Sequence, residues 1–68
     1  MNVKISLRSA RTSAGFDRRQ AAERLLVDCA ALAAIETGKS QPSLDLLRRM
    51  EKLYVVEIRH FDLEAEDE

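Results

Sequence analysis

The sequence predicts a small all-α domain of four to five helices, and three observations carry that prediction. Alanine, leucine, arginine and glutamate dominate a 68-residue chain, and these are strong helix formers. Apolar residues recur at three- and four-residue spacings in four successive segments. Between those segments the helix punctuation is sparse and well placed: Gly15, Gly38 and Pro42.

The first segment spans residues 7–14. Ser6 stands where an N-cap belongs, and Leu7, Ala10 and Ala14 fall on one face before Gly15 ends the turn. The second spans 18–25 and opens at Asp17 with Gln20 three residues later, the spacing of a capping box. Ala21, Ala22 and Leu25 form its inner face. The third spans 29–37, with Asp28 as N-cap, Leu32 and Ile35 inward and Gly38 closing it. The fourth spans 44–54, with Ser43 as N-cap after Pro42 and Leu44, Leu47, Met50, Leu53 and Tyr54 at helical spacing. The expected core is Leu7, Ala10, Phe16, Ala21, Ala22, Leu25, Leu32, Ile35, Leu44, Leu47, Met50 and Leu53. Residues 55–61 fit either a short fifth helix or an extended segment. Val3, Ile5 and Leu7 alternate with polar residues, so a two-stranded ribbon joining the two ends is the other reading of that segment.

The length holds one domain and a modest core. With one cysteine, Cys29, and one histidine, His60, the chain has neither an internal disulfide nor a Cys/His metal cluster. No cofactor is expected, and Cys29 has no base beside it to make a nucleophile, so no enzyme is expected either. There is no apolar run of the length a membrane span needs and no leader pattern. A cytoplasmic protein is the expectation, which a lone thiol suits. The net charge of −1 conceals segregation. Residues 1–61 hold eleven basic and seven acidic groups, while residues 62–68 hold five acids. A basic domain at 1–61 followed by an acidic tail at 62–68 is compatible with nucleic-acid binding.

Taken in order, LRSAR, GF, AAERL, Val27-Asp28, Leu32-Ala-Ala-Ile-Glu-Thr-Gly-Lys, Pro42-SLDLL and LYVVEI resemble the Cro/repressor helix-turn-helix family of phage and bacterial regulators over residues 5–61. The resemblance implies a DNA-binding transcriptional regulator whose second and third helices form the motif. It implies an ion pair between Arg11 and Glu36 that ties the first helix to the third. It puts Arg18 and Arg19 at a phosphate contact beginning the second helix, where the helix dipole would help, and Lys39 at another after the third, with Thr37, Ser40 and Gln41 adding hydrogen bonds. Dimerisation on duplex DNA is implied too, and Tyr54, Val55, Ile58, Phe61 and Leu63 are the expected self-association surface.

Two turn positions and one helix face depart from the family pattern. Leu26 and Val55 stand where it usually has glycine, and the base-reading face of the third helix is Cys29, Ala30, Ala33 and Ala34 with Ala31 beside them. Alanine methyls touch a thymine methyl but make no bidentate pair with guanine or adenine. Affinity from phosphate contacts with weak direct base readout is therefore expected. The same smooth apolar face gives the alternative: a protein-binding helix-turn-helix module, antirepressor- or antitoxin-like, whose partner docks on helix three, or an engineered or degenerate scaffold that no longer binds DNA.

Overall fold

The computed structural model describes residues 4–63. Its elements in order are β1 (Ile5–Ser6), α1 (Leu7–Ser13), α2 (Arg18–Leu25), α3 (Cys29–Glu36), α4 (Leu44–Tyr54), a single 3-10 turn at Ile58–His60 and β2 (Phe61–Asp62). Caps set three of the four helix starts. The Ser6 hydroxyl accepts from the Ser9 amide at 3.1 Å. Asp17 accepts from the Gln20 amide at 2.7 Å while the Gln20 side chain accepts from the Asp17 amide at 3.0 Å, completing the capping box. The Ser43 hydroxyl accepts from the Leu46 amide at 3.1 Å. Asp28 holds an extended N-cap backbone before α3, but its side chain makes no capping bond.

All four helices end in the same way, in the Schellman motif, with one residue in the left-handed region and the following amide reaching back to the carbonyl five residues earlier. The left-handed residues are Gly15, Leu26, Gly38 and Val55. The closing bonds are Phe16 to Arg11, Val27 to Ala22, Lys39 to Ala34 and Val56 to Glu51. Three of the residues that close these loops, Phe16, Val27 and Val56, are apolar and pack against the core. Their burial, together with the closing bond, holds the turns in place although two lack glycine. The expected turns have not shifted: Leu26 takes φ 62° and Val55 φ 57°. Leu26 has a further brace, because the Leu25 carbonyl just before it accepts from Arg49 of α4 at 3.0 Å.

The core joins Leu7 and Ala10 of α1, Ala21, Ala22 and Leu25 of α2, Leu32 of α3, and Leu46, Leu47, Met50 and Tyr54 of α4, with Phe61 from β2. Ala21 and Leu32 are fully buried where α2 meets α3, and alanine there lets the two backbones approach closely. Phe16, Ile35 and Leu53 line the core half-buried. Leu44 was expected inside and is instead 58% exposed. It is the first residue of α4 and lies about 60° around the helix beyond the stripe formed by Leu46, Leu47, Met50 and Tyr54. Leu46 takes the inward place.

Residues 55–62 are both of the things their sequence allowed, a helical turn and then a strand. Val55–Glu57 leads into the 3-10 turn, and Phe61–Asp62 then pairs in parallel with Ile5–Ser6, Ile5 opposite Phe61 and Ser6 opposite Asp62. Leu7 begins α1 as expected, because Ser6 caps a helix there, so the strand before it is confined to Ile5–Ser6. This ribbon corrects the self-association surface. Tyr54 and Phe61 are 4% and 3% exposed and belong to the domain's own core, while Ile58 and Leu63 pack against it half-buried. Of the five residues only Val55, 86% exposed, stands free on the outside. Asp62 is in β2, and the tail beyond Leu63 lies outside the described residues.

A β-branched side chain in the left-handed region is strained by about 1–2 kcal/mol or more, and Val55 has almost no burial to set against it. Val55→Gly should therefore raise stability by about 1 kcal/mol, and Leu26→Gly by somewhat less. Chemical denaturation of the two variants beside the parent chain checks this, and a loss of stability in both would show that the exposed side chains pack more than they strain.

Candidate nucleic-acid interface

The site is organised around one buried carboxylate. Glu36, the last residue of α3, has no exposed side-chain surface. Its Oε2 accepts from Arg11 Nε at 2.8 Å and its Oε1 from Arg11 Nη2 at 3.3 Å. The third Arg11 nitrogen, Nη1, donates to the Phe16 carbonyl at 3.1 Å. Arg11 is thus fully engaged, with a side chain 7% exposed. It ties α1 to α3 and to the loop that opens α2.

A second arginine shares the same carboxylate. Arg18 donates from Nε at 3.3 Å and from Nη2 at 3.2 Å to Glu36 Oε1. Its side chain is 38% exposed. Nothing in the sequence pattern pointed to this contact, since Arg18 was expected to face a phosphate alone. The contact sets the first turn of α2 against the last turn of α3. Arg18 and the loop that follows Glu36 therefore flank the same end of the motif.

In that loop Lys39, Ser40 and Gln41 are exposed. The Ala34 carbonyl accepts from both the Lys39 and Ser40 amides, at 2.9 and 3.2 Å, which fixes the backbone below the Lys39 side chain. Thr37 is different. Its hydroxyl donates to the Ala33 carbonyl at 3.0 Å, with the Ala34 carbonyl at 3.3 Å. That donor is used inside the helix, so the expected hydrogen bond from Thr37 to a phosphate has no proton to make it with. Arg19 is exposed and makes no hydrogen bond or ion pair among the described residues. The start of α2 is also less attractive to anions than its dipole suggests, because the Asp17 carboxylate already caps it. Attraction for an anion there has to come from the arginine side chains.

On α3 the structure leaves Cys29, Ala30 and Ala31 exposed and Ala33 and Ala34 half-buried. Leu26, 80% exposed, lies in the preceding turn and extends the apolar character of that end. No group of three or more potential metal ligands occurs among the described residues. No helix among them is long and apolar enough to cross a membrane.

Residues 7–61 match the family model described as helix-turn-helix. The chain belongs to the helix-turn-helix family. Its type is that of Cro and repressor proteins, found in phage and bacterial regulators, so the domain sits in a family of DNA-binding regulators. No curated protein and no solved structure matches the chain significantly. In this helix-turn-helix domain α2 and α3 are joined by the turn at residues 26–28.

Below the ion cluster lies Tyr54 of α4. Its hydroxyl is buried and has no hydrogen-bond partner among the described residues. Burial pushes its pKa up to about 12, the Glu36 carboxylate adds to the rise and Arg11 opposes it. The hydroxyl therefore keeps its proton in the fold at a pH where it loses it in the unfolded chain. The associated stability is complete below about pH 10 and declines as pH rises toward 12. Tyr54→Phe should match or exceed the parent's stability at neutral pH, since it removes an unsatisfied buried group. It should also lose less stability than the parent between pH 10 and 12, as paired denaturation curves across that range will show.

The two arginines should separate sharply in stability measurements. Arg11→Ala leaves Glu36 buried beside a half-exposed partner and should cost about 3–5 kcal/mol. Arg18→Ala leaves the short Arg11–Glu36 pair intact and should cost about 1 kcal/mol or less. Equal losses in thermal melts would mean that Glu36 depends on both.

Proposed function

We propose that the protein is a transcriptional regulator that binds duplex DNA mainly through the phosphate backbone, with weak direct readout of bases. The observation that carries this reading is the contrast between two surfaces of one motif. Basic and polar side chains, Arg18, Arg19, Lys39, Ser40 and Gln41, surround the ends of α2 and α3, while the outer face of α3 presents Cys29, Ala30 and Ala31. A phosphate contact needs only a cation or a donor at the right place, and it carries no sequence information. Base discrimination of about 1–3 kcal/mol per pair requires a bidentate polar side chain, and α3 has none on its exposed turn. Any preference among sequences then falls to methyl contacts with thymine and to the shape of the duplex.

The apolar end formed by Leu26, Cys29, Ala30 and Ala31 favours one second reading, in which α3 docks on another protein. The two readings both use α3 and its flanking turns, so DNA binding decides between them.

Neutralising Arg18 and Lys39 together (Arg18→Gln with Lys39→Gln) should weaken binding on every duplex alike. The slope of log affinity against log salt should flatten by about two. Fluorescence anisotropy with several unrelated duplexes at three or more salt concentrations measures both. Sequence-selective binding by the parent chain, about a thousandfold or more over random duplex, would overturn the weak-readout reading. No binding to any duplex at low salt would favour the protein-partner reading.

A further inference from the structure

We propose that Glu36 is a positioning residue for DNA binding: it orients the Arg18 guanidinium so that one edge is held by the carboxylate and the remaining N–H groups are left for a phosphodiester oxygen. This inference rests on the phosphate-backbone reading above and adds a mechanism to it.

Charge comes first. Arg11 and Glu36 form a one-to-one pair with the shorter bond, 2.8 Å, and both side chains are buried. Arg18 is then a surplus cation beside an already neutralised carboxylate. The cluster of two guanidiniums and one carboxylate carries a net positive charge, and its excess lies on the only member with substantial exposure, 38%. A phosphodiester carries the single negative charge that completes it. The nearest acid in sequence, Asp17, uses one carboxylate oxygen to cap α2 at Gln20, and the Glu36 carboxylate itself is enclosed.

Hydrogen-bond capacity comes second. A guanidinium has five N–H donors in a rigid plane. Arg18 directs Nε and Nη2 to Glu36 Oε1, at 3.3 and 3.2 Å, and Nη1 makes no hydrogen bond among the described residues. These bonds are long enough to leave Arg18 free to adjust, yet they fix which edge faces the protein. A flexible side chain loses rotamer freedom when it grips a phosphate. Arg18 has already lost part of that freedom in the unbound protein. Arg19, next to it and without a partner among the described residues, has not. Lysine cannot substitute in this role. Its ammonium is a point charge without two separate edges, so it satisfies either the carboxylate or the phosphate with good geometry.

The test uses the full chain and a random-sequence duplex at low salt, with anisotropy as readout and thermal melts to show that each variant is folded. Arg18→Lys should bind about fivefold or more weakly although its charge is unchanged, a loss about twofold or more larger than that of Arg19→Lys, whose arginine has no carboxylate to orient it. The salt slope of Arg18→Lys should equal the parent's, because the number of cations is the same. In a Glu36→Gln background the difference between Arg and Lys at position 18 should shrink to about twofold or less. Should Glu36→Gln not fold, the contrast between positions 18 and 19 still decides. If Arg18→Lys binds like the parent while Arg18→Ala is weaker, charge alone suffices and the positioning role is overturned, with the phosphate reading intact. If Arg18→Ala also binds like the parent, the phosphate contact at Arg18 itself is wrong.

Discussion

A single carboxylate with no contact with water decides how this domain is put together. Removing Glu36 from solvent is costly unless it is both paired and hydrogen-bonded. Arg11 does both with a two-point contact, and in doing so it fixes the crossing of α1 over α3. The same guanidinium reaches the Phe16 carbonyl, so the loop that opens α2 is fixed by the pair as well. Arg18 then approaches from α2. Three helices and one loop thus converge on one side chain, and the apolar core on the other side of α2 and α3 needs only small residues, Ala21 and Ala22, to let them approach.

The cluster also divides labour between two residues of one chemical type. Arg11 is enclosed and has every nitrogen occupied, which makes it part of the scaffold. Arg18 is half in solvent and only partly engaged, which makes it available to a ligand. Burial, and not residue type, separates the structural arginine from the binding one. Tyr54 shows the cost of building such a cluster in so small a body. Its ring fills the space beneath the ions, and its hydroxyl is enclosed there without a partner among the described residues.

Much of this was legible in the sequence because local rules and the overall fold agree. The helix spans follow from spacing and caps to within a residue, and the capping box at Asp17 and Gln20 forms as its spacing requires. The pair of Arg11 with Glu36 could be expected only through the family pattern, since twenty-five positions separate the two residues. What could not be read was geometry that sequence spacing does not encode. Leu44 and Leu46 are equally apolar, and which of them faces inward depends on where α4 sits against its neighbours. Tyr54 and Phe61 looked like surplus apolar surface because the pairing of Phe61 and Asp62 with β1 is a long-range event. The second arginine on Glu36 was hidden for the same reason, and Thr37 lost its expected role to a local bond within its own helix.

The ribbon between β1 and β2 has a consequence for how the molecule comes into being. Ile5 at the start of the domain is hydrogen-bonded alongside Phe61 at its end, and Phe61 is also a core residue. A chain emerging vectorially during synthesis can form α1 to α4 early, yet the domain cannot close until Phe61 and Asp62 have emerged. The helical body must therefore wait, incomplete, with the place of Phe61 in its core unfilled. Two hydrogen-bonded residue pairs act as a clasp, and native structure becomes complete only when translation reaches it.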